Sequence, residues 1–588
     1  MRTIAVFMLV FSLGAGALWA ELPSGTWDAC ALGAVGDGAT DCTEAIQKAL
    51  DTALSAGGGV VTLPAGRFVV KGNLSIPRGV TLEGTYRAAV TIESKDQPAD
   101  GTILYAYAGR GSQEGKPFIQ LAGHNAVVKG LAVIYPECRH EDVPPIPYPP
   151  CIESHDTVNV GVIDCCLLNP YEGMKFVRAA RHLVRNITGY PVWRGIFVDE
   201  CYDIGHIENI HFWPFGITYH PKDPFCEWVN VNAVAFELAR TDWHYVANTF
   251  CFGYGVGYKF SDCGSGGTNG NFLGLGADSC RRAVLVEQAQ LQGLLITNGE
   301  FVGRWRGEDS VCVEIGEKCA GKVSLVNCAF WGPIDTCVQM KSGFCAFAAN
   351  TCHFVHWDNM GLGKPAIDLL GGKSNISNCT FEQAGTNVRV SDDVQSVILS
   401  GNQADGGFRV EGITEKNRVK IEKFGNESDP LLLEPEALKH YRFRIGDAND
   451  GRFLTKWFHR EAVGEGEGRV PFRWSGASSE ITLPVAVNTP YEATLELTVP
   501  QAALTGDVVP GIYRDGEKIA DLAAGENSVT VKLAPSTAEW ITLEIRVNAW
   551  ETNGNDTRRL GVQGRSVEMK AEGAGDTVIF TVNGQKGS

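Results

Sequence analysis

Apolar residues along this chain follow two periods. Ala45, Ile46, Ala49, Leu50, Ala53 and Leu54 recur three and four apart, which puts them on one face of an amphipathic helix. After the Gly57-Gly58-Gly59 break the period falls to two. Val61, Leu63, Phe68, Val70, Leu74, Ile76, Val80 and Leu82 alternate with polar positions, and Pro64, Gly66, Gly72, Pro77 and Gly79 mark the corners. One short helix followed by strand after strand predicts the opening of a parallel β-helix, with the helix closing the end of its core.

Further on, a ragged repeat brings Asn before an aromatic residue: Asn209 before Phe212, Asn327 before Phe330, Asn350 before Phe354, Asn378 before Phe381, then Asn402. The steps 350 − 327 = 23, 378 − 350 = 28 and 402 − 378 = 24 are coil lengths of a solenoid. The same strands carry a charged residue after an inward apolar pair. Alternation predicts that Asp199, Glu237, Lys259, Glu287, Glu314 and Lys341 form an outward ladder, with neighbours about 5 Å apart. A solvated face is the plainer reading of such a ladder. The interval 237 − 199 = 38 exceeds a coil, so an insertion is predicted between them, carrying Trp213, His220, Lys222, Asp223 and Trp228. Trp193 and Trp243 flank it; tryptophan faces stack on sugar rings and equally fill cores.

The residues from Val35 to Thr85, VGDGATDCTEAIQKALDTALSAGGGVVTLPAGRFVVKGNLSIPRGVTLEGT, closely resemble the amino-terminal signature of the pectate lyase superfamily domain, the rhamnogalacturonase and epimerase-like branch. The resemblance implies an all-β, pectin-lyase-like right-handed parallel β-helix acting on polysaccharide, and leaves the reaction open. It carries over no catalytic residue. The Asn-Thr-Asp, paired-Asp and Gly-His-Gly series of the polygalacturonase branch is missing. The Asp-Pro-His-Glu motif of alginate epimerases is only echoed by Asp223, Pro224, Phe225, Cys226 and Glu227, without its His. Asp392 and Asp393 read as a turn.

Domain limits follow the change in pattern. Arg2, the apolar run Ile4–Leu13 and the small residues to Ala20 read as a signal peptide over residues 1–20, giving a secreted or periplasmic protein. The β-helix is expected over 21–425 and a linker over 426–438. A carboxy-terminal β-sandwich is expected over 439–588, where cleanly alternating strands such as YEATLELTV and EWITLEIRV appear and cysteines cease. This last domain could bind glycan or close the solenoid's end.

Composition narrows the partners. Glycine is 69 of 588 residues, about 12% against an average near 7%, as a chain of corners requires. The formal charge of −17 argues against nucleic acid, and no run approaches the roughly 20 apolar residues of a membrane span. Export permits disulfides, and Cys30 with Cys42, and Cys138 with Cys151, are the expected pairs among the 18 cysteines. No cysteine spacing matches a metal site.

A polysaccharide in a solenoid groove needs paired carboxyls for hydrolysis, one as acid and one as base or nucleophile. Asp199 and Glu237 on neighbouring rungs suit a retaining pair; Asp223 offers a wider inverting one. His220 and Arg194 are expected to assist, with Trp193, Trp213, Trp228, Trp243 and Lys259 binding substrate. The alternative is a lyase, in which Arg194, His220, Lys222 and Lys259, or a calcium ion, neutralise a uronate. A third reading is noncatalytic glycan binding. No cofactor is expected. His124 and His182 read as structural, with His211 a minor groove residue.

Overall fold

The computed structural model describes residues 25–86, 100–216, 219–220, 222–304, 309–427, 435–447, 450–464, 469–552 and 556–581. The signal segment therefore lies outside the described residues, as does most of the expected linker.

The chain winds as a right-handed parallel β-solenoid. One face is a sheet of thirteen parallel strands running from Leu74–Ile76 to Val410–Glu411; the other coil faces share a sheet of twenty-four. The predicted helix is Thr43–Ser55, with Ile46, Ala49, Leu50 and Ala53 buried against the first coils, while Leu54 is exposed. Inside, side chains of successive coils stack. Phe301, Phe330, Phe354 and Phe381 lie 5.5, 4.8 and 4.6 Å apart, centroid to centroid. Phe212, Phe236 and Tyr258 form a second pile at 5.3 and 4.8 Å.

The recurring Asn residues hold the corners. Asn186, Asn209, Asn298, Asn327 and Asn378 all have positive φ, a conformation Asn tolerates better than most residues. Their amides also bridge coils: Asn209 donates to Asn186 at 2.9 Å and Asn327 to Asn298 at 2.8 Å. The corner backbone and the inter-coil bond are thus satisfied by one residue type.

The two expected disulfides are not formed; all eighteen cysteines are free thiols. Cys42 points its Sγ at the carbonyls of Val35 and Thr40, both at 3.2 Å. Burial pushes the thiols of Cys138 and Cys151 up to about 12.

From His440 onward the chain forms a ten-stranded, almost wholly antiparallel sheet around its own core, hydrogen-bonded through all its strands. Arg473 joins it to the solenoid. This fully buried guanidinium pairs with Asp450 at 2.7 Å and with Asp405 of the last coils. Arg409 reaches across to the carbonyls of Gly451 at 2.8 Å and Leu454 at 2.9 Å. Gly406, at φ +86°, meets the Gly451 backbone so closely that a Cβ there would lie 2.0 Å from the Gly451 carbonyl carbon. Two histidine rings, His356 of the solenoid and His459 of the sheet, meet across the junction at 4.3 Å, tilted by 39°.

Candidate functional site

The outward face of the thirteen-stranded sheet carries the charge predicted for it, in a different register. The strands Ile152–Val158, Glu172–Ala180, Arg194–Asp199, Val234–Leu238 and Val256–Phe260 pair in parallel, aligning Glu153, Lys175, Phe197, Glu237 and Lys259 in one column. Asp199 is two residues beyond Phe197. Since side chains alternate, that shift keeps Asp199 outward but moves it to a second column. Glu287 and Lys341 sit at the same position, three residues past an inward Val284 or Val338, whereas Glu314 is one past Val313. The single ladder is thus two interleaved columns: Asp199 and Glu237 are on neighbouring coils, but offset by two residues and not directly opposite at about 5 Å.

The columns neutralise one another. Glu172 accepts from Arg194 at 2.6 Å, Arg194 reaches Glu237 at 3.2 Å, and Lys259 joins Glu237 to Glu287 at 3.2 Å each. A second run links Asp309 to Arg282 at 3.0 Å, Arg282 to Glu314 at 2.6 Å and Lys341 to Glu314 at 2.7 Å. Burial raises the Glu172 carboxyl above its ordinary value, partly offset by Arg194. For Lys259 burial works against the charge, but Glu237 and Glu287 prevail and lift it. Arg194 lies flat over Phe197 at 4.1 Å and beside Trp193 at 4.7 Å, which stacks on Tyr171.

Asp199 closes its strand. Its Oδ1 accepts the backbone N–H groups of Glu200 at 2.8 Å and Arg240 at 3.1 Å, while Oδ2 has no partner among the described residues. Continuing the register by one residue sets Asp199 beside the buried Ala239, with Ser261 on the next coil. Strand rise and coil spacing put the Cα atoms of Asp199 and Glu237 about 8 Å apart.

The corner just past these columns holds residues that the spacing analysis missed. Arg178 pairs with Asp156 at 2.5 Å and Glu200 at 2.8 Å, and also contacts His155 Nδ1 at 3.0 Å; Ser265 donates to Glu200. Hydrogen bonds from Arg178 hold the exposed Asp156 carboxyl at about 2 and depress Glu200 as well. A regular step would have revealed them: 156 + 22 = 178 and 178 + 22 = 200.

The predicted insertion is the helix Pro224–Asn232, entering at the amino-terminal end of the strand Val234–Leu238. Asp223 is its N-cap. It accepts from the N–H groups of Phe225 at 3.0 Å and Cys226 at 3.1 Å and pairs with His140 at 2.8 Å. Burial opposes its charge, but His140 and the cap bonds leave the carboxyl below its usual range. His220 is exposed, its Nδ1 accepting from the Lys222 N–H at 3.1 Å. Of the tryptophans, Trp193 adjoins the charged face, under Arg194. Trp228 lies on the inserted helix, Trp213 packs on Phe252 at 4.3 Å, and Trp243 opens a strand of the other sheet, 64% exposed. The structure thus brings together Arg194, Glu237, Lys259, Asp199 and Trp193. Asp223 and Trp228 belong to the inserted helix and its cap, Trp213 follows the strand His206–Phe212, and Trp243 lies on Thr241–Phe252. His124 accepts the Val158 N–H at 3.0 Å, a structural corner, and His182 is fully buried. Among the described residues no group of three His, Cys, Asp or Glu is placed to hold a metal ion, and no helix is long and apolar enough to cross a membrane.

Comparison with known proteins agrees with the fold. Residues 29–129 match the family model described as rhamnogalacturonase A/epimerase, pectate lyase-like. Mannuronan C5-epimerase AlgE3 of Azotobacter vinelandii is 36% identical over 117 residues, 18% of this chain and 6% of that protein. AlgE5 of the same organism is 36% identical over 108 residues, 17% of this chain and 11% of its own. The chain therefore spans about a tenth or less of the length of these curated relatives. Among solved structures, the A-module of A. vinelandii mannuronan C-5 epimerase AlgE6 superposes over 69% of this chain and 100% of that one, at 14% identity and a TM-score of 0.41. The amino-terminal coils thus carry the pectate lyase-like family segment, and the chain is related through them to polysaccharide-acting enzymes.

Proposed function

We propose that this chain is an exported glycoside hydrolase that lays a neutral or weakly charged polysaccharide across the outward face of its thirteen-stranded sheet. The observation that carries the reading is the pair Asp199 and Glu237, facing outward one coil apart and offset by two residues. The offset sets the two Cα atoms about 8 Å apart; the reading takes the inverting arrangement, in which a water sits between base and sugar. Asp199, with two backbone N–H groups on one oxygen and the other free, is suited to activate that water. Glu237, 8% exposed, takes the acid role in this reading, and Arg194 and Lys259, each at 3.2 Å, must release its carboxyl before it can carry a proton. Arg194 and Lys259 position it, and Trp193 offers a stacking edge. The charge of the face favours a neutral glycan. Seven carboxylates (Glu153, Asp156, Glu172, Asp199, Glu200, Glu237, Glu287) stand against four cations (Lys175, Arg178, Arg194, Lys259).

A lyase is the second reading, favoured by those four cations and by the likeness of the first coils to enzymes named for mannuronan. One screen separates the two. Purified protein is incubated with neutral, uronic and sulfated polysaccharides while reducing ends and ultraviolet absorbance are followed together. Hydrolysis gives reducing ends alone, with inverted anomers at first turnover by NMR. Matching absorbance would establish elimination, and silence across the panel would leave a binding protein.

A further inference from the structure

We propose that the carboxy-terminal domain bears a separate groove that binds an acidic glycan through its carboxylate or sulfate groups. This goes beyond the reading of the solenoid, because it needs no chemistry there and lies on another part of the molecule. The groove encloses about 790 Å³ and is lined by Arg442, Arg444, Arg469 and Arg565, against Glu496 and Glu526.

Strand alternation builds it. On His440–Arg444, Tyr441 and Phe443 enter the core, so Arg442 and Arg444 face out together, about 7 Å apart. The neighbouring strand Gln563–Ala571 sets Ser566 opposite Arg444, and Tyr491–Val499 sets Glu496 opposite Ser566. Arg565 lies at the irregularity where Glu496 and Leu497 change register, its guanidinium 5.3 Å over the Phe472 ring.

Charge identifies the occupant. In a chain of net charge −17, arginines elsewhere, such as Arg178, Arg194, Arg282 and Arg473, are held by carboxylates. In the groove Arg442 approaches one only at 3.9 Å, from Glu568, and Arg565 donates to the neutral Gln563. Arg444 and Arg469 enter none of the ion pairs among the described residues. Arg442 donates to the neutral Ser566 at 3.2 Å, so no guanidinium fork of the groove is closed by a bidentate carboxylate among the described residues, and such forks match the geometry of carboxylate and sulfate groups. Four arginines spread along an open groove fit a chain carrying charges at intervals. A nucleic acid is disfavoured by the protein's overall negative charge, and by Phe472 lying under Arg565, where no base could stack on it.

The test is affinity electrophoresis of the full chain in gels containing polygalacturonate, dextran sulfate or unmodified dextran, at low and moderate salt. Wild type is expected to be retarded by one or both anionic polymers, which tells carboxylate from sulfate recognition, and to pass through dextran freely. Arg444→Ala with Arg469→Ala should weaken retention about ten-fold, and Arg→Lys at both should restore it only in part. Glu526→Gln, removing a competing carboxylate, should tighten binding, a gain that misfolding cannot produce. Equal retention in dextran, unchanged retention in the double Ala variant, or tighter capture of duplex DNA would each overturn the proposal.

Discussion

Replacing Arg194 by Met should expose the electrostatic design of the charged face. The guanidinium holds Glu172, whose side chain is 5% exposed and has no other ion pair among the described residues, and shares Glu237 with Lys259. Removing one partner of a buried pair costs about 3–5 kcal/mol. Burial already raises the Glu172 carboxyl and Arg194 opposes that rise, so removing Arg194 should lift it further and favour its protonated form. An acid whose folded pKa is raised stabilises the fold at low pH and loses that stability as pH rises through the folded value. Arg194→Met should therefore lose about 3 kcal/mol or more at pH 8 and under about 1 kcal/mol at pH 5, by urea denaturation followed through tryptophan fluorescence. Arg194→Met with Glu172→Gln should regain most of the loss at pH 8. Equal losses at the two pH values, or less than about 1 kcal/mol at pH 8, would refute the reasoning.

Three further outcomes follow from the burial or exposure of single groups. Burial lowers His182 to about 4. An unfolded histidine near 6.5 therefore takes protons the fold refuses, and stability present above that pH should fall by about 2 kcal/mol by pH 5, a loss that His182→Asn reduces if it folds. Asp405→Asn removes one of the two carboxylates on the buried Arg473 and should cost about 3 kcal/mol, splitting a calorimetric transition into separate steps for solenoid and carboxy-terminal domain. Under native conditions Cys263 should react first with a thiol reagent, since it is the exposed one, and all eighteen should react once the chain is unfolded without reductant.

The solenoid was legible because its signals are local. Period-two alternation, corner glycines and the recurring Asn each report a coil without knowledge of its neighbours. The register was not legible to the same degree. Asp199 and Glu237 both follow inward apolar residues, and positions two apart on a strand have the same parity, so pattern alone merges two columns into one. Sequence steps would have separated them. Lys175 to Phe197 spans 22 residues, but Phe197 to Glu237 spans 237 − 197 = 40, because the helix Pro224–Asn232 intervenes. The aromatic clustering misled for the opposite reason. Trp193, Trp213, Trp228 and Trp243 are near in sequence, yet each coil turns successive residues onto different faces, so proximity along the chain does not survive winding. The ion pairs of Arg194 and Arg178 depend on residues a full coil away and become visible only when coils are stacked.

The central claim is tested most directly by the rate of reducing-end release on the best substrate of the panel, compared between wild type, Asp199→Asn and Glu237→Gln. The account predicts that each variant falls by about 1,000-fold or more while unfolding close to wild type; full activity in either would contradict it.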